Sequence, residues 1–202
     1  IMNVFSRLNY KPHYAIAEFV DNSTQSYFLH RDALRESCPN FRLSIIVTHD
    51  PRERTLTIED NAFGMERERF LDAITLDAKN SEQENSRNEF GMGLKTAASW
   101  FGNVWSVSST AYGSPNRYTA VVDIPHFQES GESDIQIRVE PAPLCEHGTS
   151  IRITQMTKTM GPRSIGKTRA MLASMYRRDL AGGEVHININ DQDISFEDYP
   201  IL

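Results

Sequence analysis

The chain has 202 residues, 39% hydrophobic and 24% charged, with a net charge of −6, which suits one globular domain with a sizeable core. The acidic balance argues against a strong non-specific grip on nucleic acid or an anionic membrane, so nucleic acid is not indicated as a partner. Cys38 and Cys145 are too few for a disulfide framework and lack metal-ligand spacing, and no apolar run approaches a membrane span, so a reducing cytoplasm is the expected setting.

Pro12 suits the first turn of a helix. Apolar Ile16, Phe19, Val20 and Tyr27 then recur at helical spacing through about residue 30. Glu18 and Asn22 stand four apart on this helix, one turn apart on one face. A carboxylate there can take a proton from water, and a carboxamide oxygen can ligate a hard cation such as Mg2+. The pair suits metal-assisted phosphate chemistry, although the same spacing also occurs on ordinary exposed helix faces.

Residues 41–48 alternate and are rich in Ile and Val. With residues 55–59, across Asp50-Pro51-Arg52, they predict a hairpin. The second strand delivers Asp60 into the loop Asp60-Asn61-Ala62-Phe63-Gly64-Met65. A buried aspartate here can accept a hydrogen bond from an exocyclic amine such as that of adenine, and Gly64 lets the backbone approach a flat ring. An aspartate before a glycine turn is equally ordinary turn chemistry. Residues 66–76 predict a helix with Phe70, Leu71 and Ile74 on one face.

Residues 77–88 hold almost no apolar side chain and read as a mobile loop. Gly91-Met92-Gly93-Leu94-Lys95-Thr96 then sits between that loop and a helix ending near Phe101, with Gly102 as its cap. Two glycines free the backbone amides at a positive helix end, a ready anion site suited to a triphosphate, with Lys95 adding a charge. The alternative is a Gly-rich loop that only caps a helix. Residues 104–110, 118–124, 135–139 and 149–154 read as strands, and 171–180 as a helix stopped by Gly182-Gly183. Residues 185–189 and 194–196 close a hairpin around Asn190-Asp191. His147-Gly148-Thr149 leads into the strand at 149, where the Thr149 hydroxyl can reach the aspartate directly or through water. No repeat or linker divides the chain, and the Ile1-Met2 start reads as the edge of a piece of a longer protein.

In order, these are a helix with E-x-x-x-N, a strand with D-x-x-x-G, a polar loop, G-x-G before a helix, and G-T at a strand. The series resembles the GHKL ATPases: gyrase B subunits, the ninety-kilodalton heat-shock chaperone, histidine kinases and mismatch-repair MutL. The resemblance spans roughly residues 5–198. AIAEFVDNS and FGMGLK look closest to MORC-type ATPases and their bacterial relatives.

It implies an α+β Bergerat fold: a two-layer sandwich with a mixed, mostly antiparallel sheet and helices on one face. It implies ATP and Mg2+ as ligands, Glu18 as the general base that activates water, and Asn22 as the Mg2+ ligand. Asp60 matches the adenine-reading aspartate, and Gly64 and Met65 the loop beside it. Gly91, Met92, Gly93, Leu94 and Lys95 match the phosphate-holding glycine box, Thr149 the threonine near the base, and residues 77–90 an ATP lid. A nucleotide-dependent homodimer is also implied.

Two departures stand out. Ala62 replaces the first glycine of the usual D-x-G-x-G, and the loop is expected to survive with a small residue there. Gyrase-like and MutL-like members take a phosphate-contacting lysine from a downstream domain. The resemblance therefore implies a further domain or partner supplying it, and slow hydrolysis by these residues alone. An ATP-binding conformational switch with little hydrolysis and a histidine-kinase type of activity are the alternatives within the same fold; the six histidines are scattered and show no phospho-acceptor domain.

Gly161-Pro162-Arg163-Ser164-Ile165-Gly166-Lys167-Thr168 also fits the P-loop pattern G-x-x-x-x-G-K-[ST]. Too few residues follow for a parallel P-loop sheet. The alternating strand at 185–189 is also unlike a buried Walker B strand.

Overall fold

The computed structural model describes residues 10–75, 89–130 and 135–196, with the backbone alone for 89–92. Helix α1 spans Pro12–Ser37, with Pro12 in its first turn. It buries Ile16, Phe19, Val20, Tyr27 and Leu34 on one side. His30 leaves helical geometry (φ −117°, ψ 15°), so the end expected near residue 30 is a kink. Beyond it, Leu34 anchors the last turns against the core, and Arg31 and Arg35 pair with Glu184.

The strands are β1 (Leu43–Asp50), β2 (Thr55–Asp60), β3 (Gly102–Thr110), β4 (Asn116–Asp123), β5 (Ile137–Pro141), β6 (Gly148–Met156), β7 (Val185–Ile189) and β8 (Gln192–Asp193). They form one sheet in the order β5-β4-β3-β6-β2-β1-β7-β8. All pairings are antiparallel except β1 with β7. Alternation gives the sheet two different faces. Ile45, Val47, Leu56, Ile58, Trp105, Val107, Ile151, Ile153, Ile187 and Ile189 point inward and are buried, whereas Ile46 and Val121 lie on the exposed face. The helices α2 (Arg67–Ile74), α3 (Glu89–Phe101) and α5 (Pro162–Met175) join α1 around the core, where α1 packs on α3 and α5. This is the two-layer Bergerat sandwich.

Several elements differ from expectation. Strand β4 stops at Asp123, whose carboxylate accepts the His126 N–H (3.0 Å) and starts a short helix, α4 (Ile124–Ser130), that periodicity did not show. Gly102 opens β3 instead of capping α3. Helix α5 begins at Pro162, well before residue 171, and a short α6 (Arg177–Ala181) follows it. Gly166, Lys167 and Thr168 therefore lie inside a helix, and β6 before them is antiparallel to both its neighbours. That is not a P-loop. The final hairpin turns at Asn190 and Asp191, both left-handed (φ 49° and 60°), and its second strand is only Gln192–Asp193.

Candidate functional site

The sheet places a polar trio in an otherwise apolar row. The period-2 alternation that buries Leu56 and Ile58 also points Asp60 inward, beneath α1. Asp60 lies opposite Thr149 on β6, and Thr149 lies opposite Ser109 on β3. Ile45 and Tyr118 flank the trio.

Asp60 Oδ2 accepts the Ser23 hydroxyl from α1 at 2.6 Å. Its Oδ1 accepts the Ala62 N–H (2.9 Å) and the Thr149 N–H (3.2 Å). Burial outweighs these three donors and holds the Asp60 carboxyl above the ordinary carboxylate range.

Ser109, 1% exposed, is the hub behind it. It lies within hydrogen-bond distance of the Met65 N–H (2.9 Å), the Gly148 carbonyl (3.0 Å) and the Thr149 hydroxyl (2.9 Å). Donating to Gly148 and accepting from Met65 and Thr149 uses its one proton and both lone pairs. A surface depression at this end of the sheet is lined by Asp60, Ser109, Gly148 and Thr149 together with Glu59, Ser108 and Ser150, which the register places on the opposite face.

The loop after Asp60 is formed with Ala62 in place. Ala62 is buried and keeps a negative φ, and its carbonyl is bonded by His147 Nδ1 at 2.8 Å. Gly64 is needed for a reason internal to the protein. Its φ is +78°, and a side chain there would overlap the Thr110 carbonyl at the end of β3.

The other cluster lies along α1. Glu18 Oε1 accepts the Tyr10 hydroxyl at 2.8 Å. Its other oxygen, Oε2, lies so close to Gly93 on α3 that a Cβ at Gly93 would overlap it. One turn on, the Asn22 side-chain nitrogen is buried with no hydrogen-bond partner among the described residues. Helix α3 starts at Glu89, so Gly91 and Met92 lie in its first turn and not in a loop before it. The first four N–H groups of a helix have no intrahelical acceptor. Leu94 is a core side chain, 4% exposed.

Lys95 departs from the expected phosphate contact. Its ammonium donates to the carbonyls of Asp72 (3.1 Å) and Thr75 (2.5 Å) at the C-terminus of α2. Burial holds its pKa below the usual lysine value. The ammonium satisfies carbonyls that a helix end leaves open, so it caps α2. Of residues 77–90, read as a lid, 77–88 lie outside the described residues and the last two open α3.

The profile of the histidine kinase-, DNA gyrase B-, and HSP90-like ATPases matches residues 10–156. The chain belongs to this family. A search of curated proteins finds no match to it. The matched span contains both clusters and ends at the last residue of β6. ATP is the ligand that this family implies.

The donor set along α1 also fits the Mg2+ that usually accompanies ATP in the family. Of the Asn22 carboxamide, the buried nitrogen has no hydrogen-bond partner among the described residues, and the oxygen is the atom that would ligate the cation. Among the described residues no group of three or more His, Cys, Asp or Glu side chains can hold a metal, so a cation at Asn22 would draw its other ligands from phosphate and water, as Mg2+ does.

Sequence reasoning missed Ser23, Ser109, Tyr10 and His147. Ser109 carried a signal: it continues the inward alternation of Trp105 and Val107, where a polar residue calls for an explanation. Ser23 directly follows Asn22, and the turn of the helix swings it toward β2. Tyr10 precedes the helix and has no periodicity to betray it. Among the described residues no helix is long and apolar enough to cross a membrane.

Proposed function

We propose that the chain binds Mg-ATP between these two clusters and hydrolyses it. One observation carries the reading: the Glu18 carboxylate lies against Gly93. That contact joins the E-x-x-x-N helix to the G-x-G segment, which are far apart in sequence.

In this reading Asp60 accepts the exocyclic amine of adenine. Thr149, with its hydroxyl held by Ser109, serves the same base directly or through water. The loop of Gly64 and Met65 flanks the base. The open N–H groups in the first turn of α3, including those of Gly91 and Met92, hold phosphate oxygens. Asn22 holds Mg2+, which when bound neutralises phosphate charge. Glu18 takes a proton from a water as the water oxygen bonds to the γ-phosphorus and the bond to the bridging oxygen of ADP breaks. Lys95 is left out of the phosphate site because it caps α2.

The wording of AIAEFVDNS and FGMGLK supports a place beside MORC-type members. The family resemblance supports nucleotide-dependent pairing of two copies. A mass that stays monomeric with a non-hydrolysable analogue removes the pairing and leaves the rest.

The test of hydrolysis is Glu18→Ala. Single-turnover hydrolysis should fall by at least about 100-fold while the Kd for Mg-ATP, by calorimetry, stays within about twofold. Turnover unchanged in Glu18→Ala removes Glu18 from the role.

A further inference from the structure

We infer that Tyr10 is a positioning residue for Glu18, fixing which carboxylate oxygen is left to receive the proton from water. The inference rests on the hydrolysis reading above and adds a residue to it.

The two Glu18 oxygens are in different surroundings. Oε1 accepts the Tyr10 hydroxyl at 2.8 Å, and Oε2 faces Gly93. The rotamer is thereby held from both sides, and Oε2 is the oxygen turned toward the glycine segment of α3. Tyr10 is itself anchored. Its ring meets Trp100 edge-on, with centroids 5.9 Å apart and planes at 72°, and lies 6.4 Å from Tyr14.

Trp100 is 3% exposed and stands on α3 two turns beyond Gly93, on the same side of the helix. The Lys158 ammonium sits 4.5 Å from the centre of the Trp100 ring and covers it. Helix α3 thus references Glu18 twice: directly through Gly93, and through Trp100 and Tyr10. Burial and the nearby Glu18 carboxylate push the Tyr10 phenol well above its ordinary value, so it stays a donor at any working pH.

A second tyrosine gives an internal control. Tyr176 donates its one proton to Asp21 Oδ1 at 2.7 Å, and its hydroxyl also lies 3.2 Å from the Ala17 carbonyl. It ties α1 to the end of α5 through a carboxylate that does not face Gly93. Loss of its hydroxyl removes a tie on α1 that makes no hydrogen bond to Glu18.

The experiment compares Tyr10→Phe, Tyr176→Phe, Glu18→Gln and the double variant Tyr10→Phe/Glu18→Gln with the wild-type chain. It reads kcat and KM for ATP, the Kd of a non-hydrolysable analogue, and the melting temperature. Tyr10→Phe should lower kcat at least about tenfold, since small misplacement of a positioned group costs up to about 100-fold. Its KM and Kd should stay within about twofold. Tyr176→Phe should lower the melting temperature and leave kcat within about twofold. In the Glu18→Gln background, Tyr10→Phe should change the residual rate less than about twofold, because its effect runs through the carboxylate.

If kcat of Tyr10→Phe is within twofold of wild type while Glu18→Gln lowers turnover at least about 100-fold, the inference is overturned and the hydrolysis reading stands. If Tyr10→Phe costs the same factor in both backgrounds, Tyr10 acts through general stability and the inference also fails. Turnover that Glu18→Gln leaves within about twofold of wild type, or that is absent from the wild-type chain, overturns the hydrolysis reading and this inference together.

Discussion

The two polar clusters under α1 are built on opposite principles. Around Asp60 the protein answers its own polar groups: three donors converge on one carboxylate, and Ser109 uses its proton and both lone pairs on neighbours. Around Glu18 it leaves groups open. The Asn22 side-chain nitrogen is buried and unpartnered among the described residues, and the first turn of α3 offers N–H groups without intrahelical acceptors. A closed network holds a fixed shape before any ligand arrives, which suits recognition of a rigid base. An open one is completed only by what binds, which suits phosphate, metal and water. In the proposed function, preorganisation sits where the base would be read, and unsatisfied polarity where the phosphates would be held.

Asp60→Asn should break this division most strongly. The amide is nearly isosteric with the carboxylate, and Ser23 can accept its N–H by turning its own proton to the Phe19 carbonyl, which lies 3.1 Å away. The fold should therefore survive, with a melting temperature equal to or above wild type because the buried charge is gone. An adenine amine would now meet a donor instead of a carboxylate, and calorimetry should show Kd for ATP raised about 100-fold, the upper range for one charged hydrogen bond. Unchanged affinity in a folded variant would take Asp60 out of base recognition.

Gly93→Ala sharpens the other half. The new Cβ displaces the Glu18 carboxylate, the movable end of a side chain, so the melting temperature should hold while kcat drops by about tenfold or more. A loss of stability with normal kcat would show that Gly93 serves packing alone. Ser109→Ala should act through the closed network. It strands the Met65 N–H and the Gly148 carbonyl, at about 1–3 kcal/mol of stability by urea denaturation, with a smaller loss of ATP affinity than Asp60→Asn.

The smallest effect expected is a pH dependence that belongs to neither cluster. Burial lowers the pKa values of His49, His13 and His30. Each therefore holds a proton less tightly in the folded chain than in the unfolded one, and His49 Nε2 accepts the Met160 N–H at 3.4 Å. In the unfolded chain each takes up a proton near the ordinary pKa of about 6.5. Their contribution to stability is full above that value and lost as pH falls from it toward the folded pKa, because the unfolded state then binds more protons. The slope is at most about 1.4 kcal/mol per pH unit for each histidine. Asp60 titrates with the opposite sign: its raised carboxyl favours folding at low pH and loses that contribution as pH rises through its folded value. Denaturation curves between pH 7.5 and 5.5 in the Asp60→Asn background isolate the histidines, and His49→Gln should flatten them.

Much of this was legible in the sequence wherever one period dominated. Leu56, Ile58 and Asp60 alternate, so the strand itself aims the aspartate inward. Ile16, Phe19 and Val20 fix the buried side of α1 and hence how Glu18 and Asn22 are presented. What stayed hidden depends on contacts between distant segments. Gly93 reads as a source of free amides, and only the packing of α1 on α3 shows that it also clears space for Glu18. Lys95 reads as a phosphate ligand because its sequence neighbours are glycines, but in space its neighbours are the carbonyls ending α2. The G-x-x-x-x-G-K-T pattern obscured the start of α5, where Pro12-like placement of Pro162 was the better guide.

The central claim is that one ATP spans both clusters. It is tested most directly by the structure of the chain with Mg2+ and a non-hydrolysable ATP analogue. The account predicts the adenine amine on the Asp60 carboxylate, Mg2+ on the Asn22 oxygen, and the γ-phosphate before Glu18 Oε2 and the first turn of α3. An analogue bound away from Asp60, or with its phosphates directed away from Glu18 and Asn22, would contradict it.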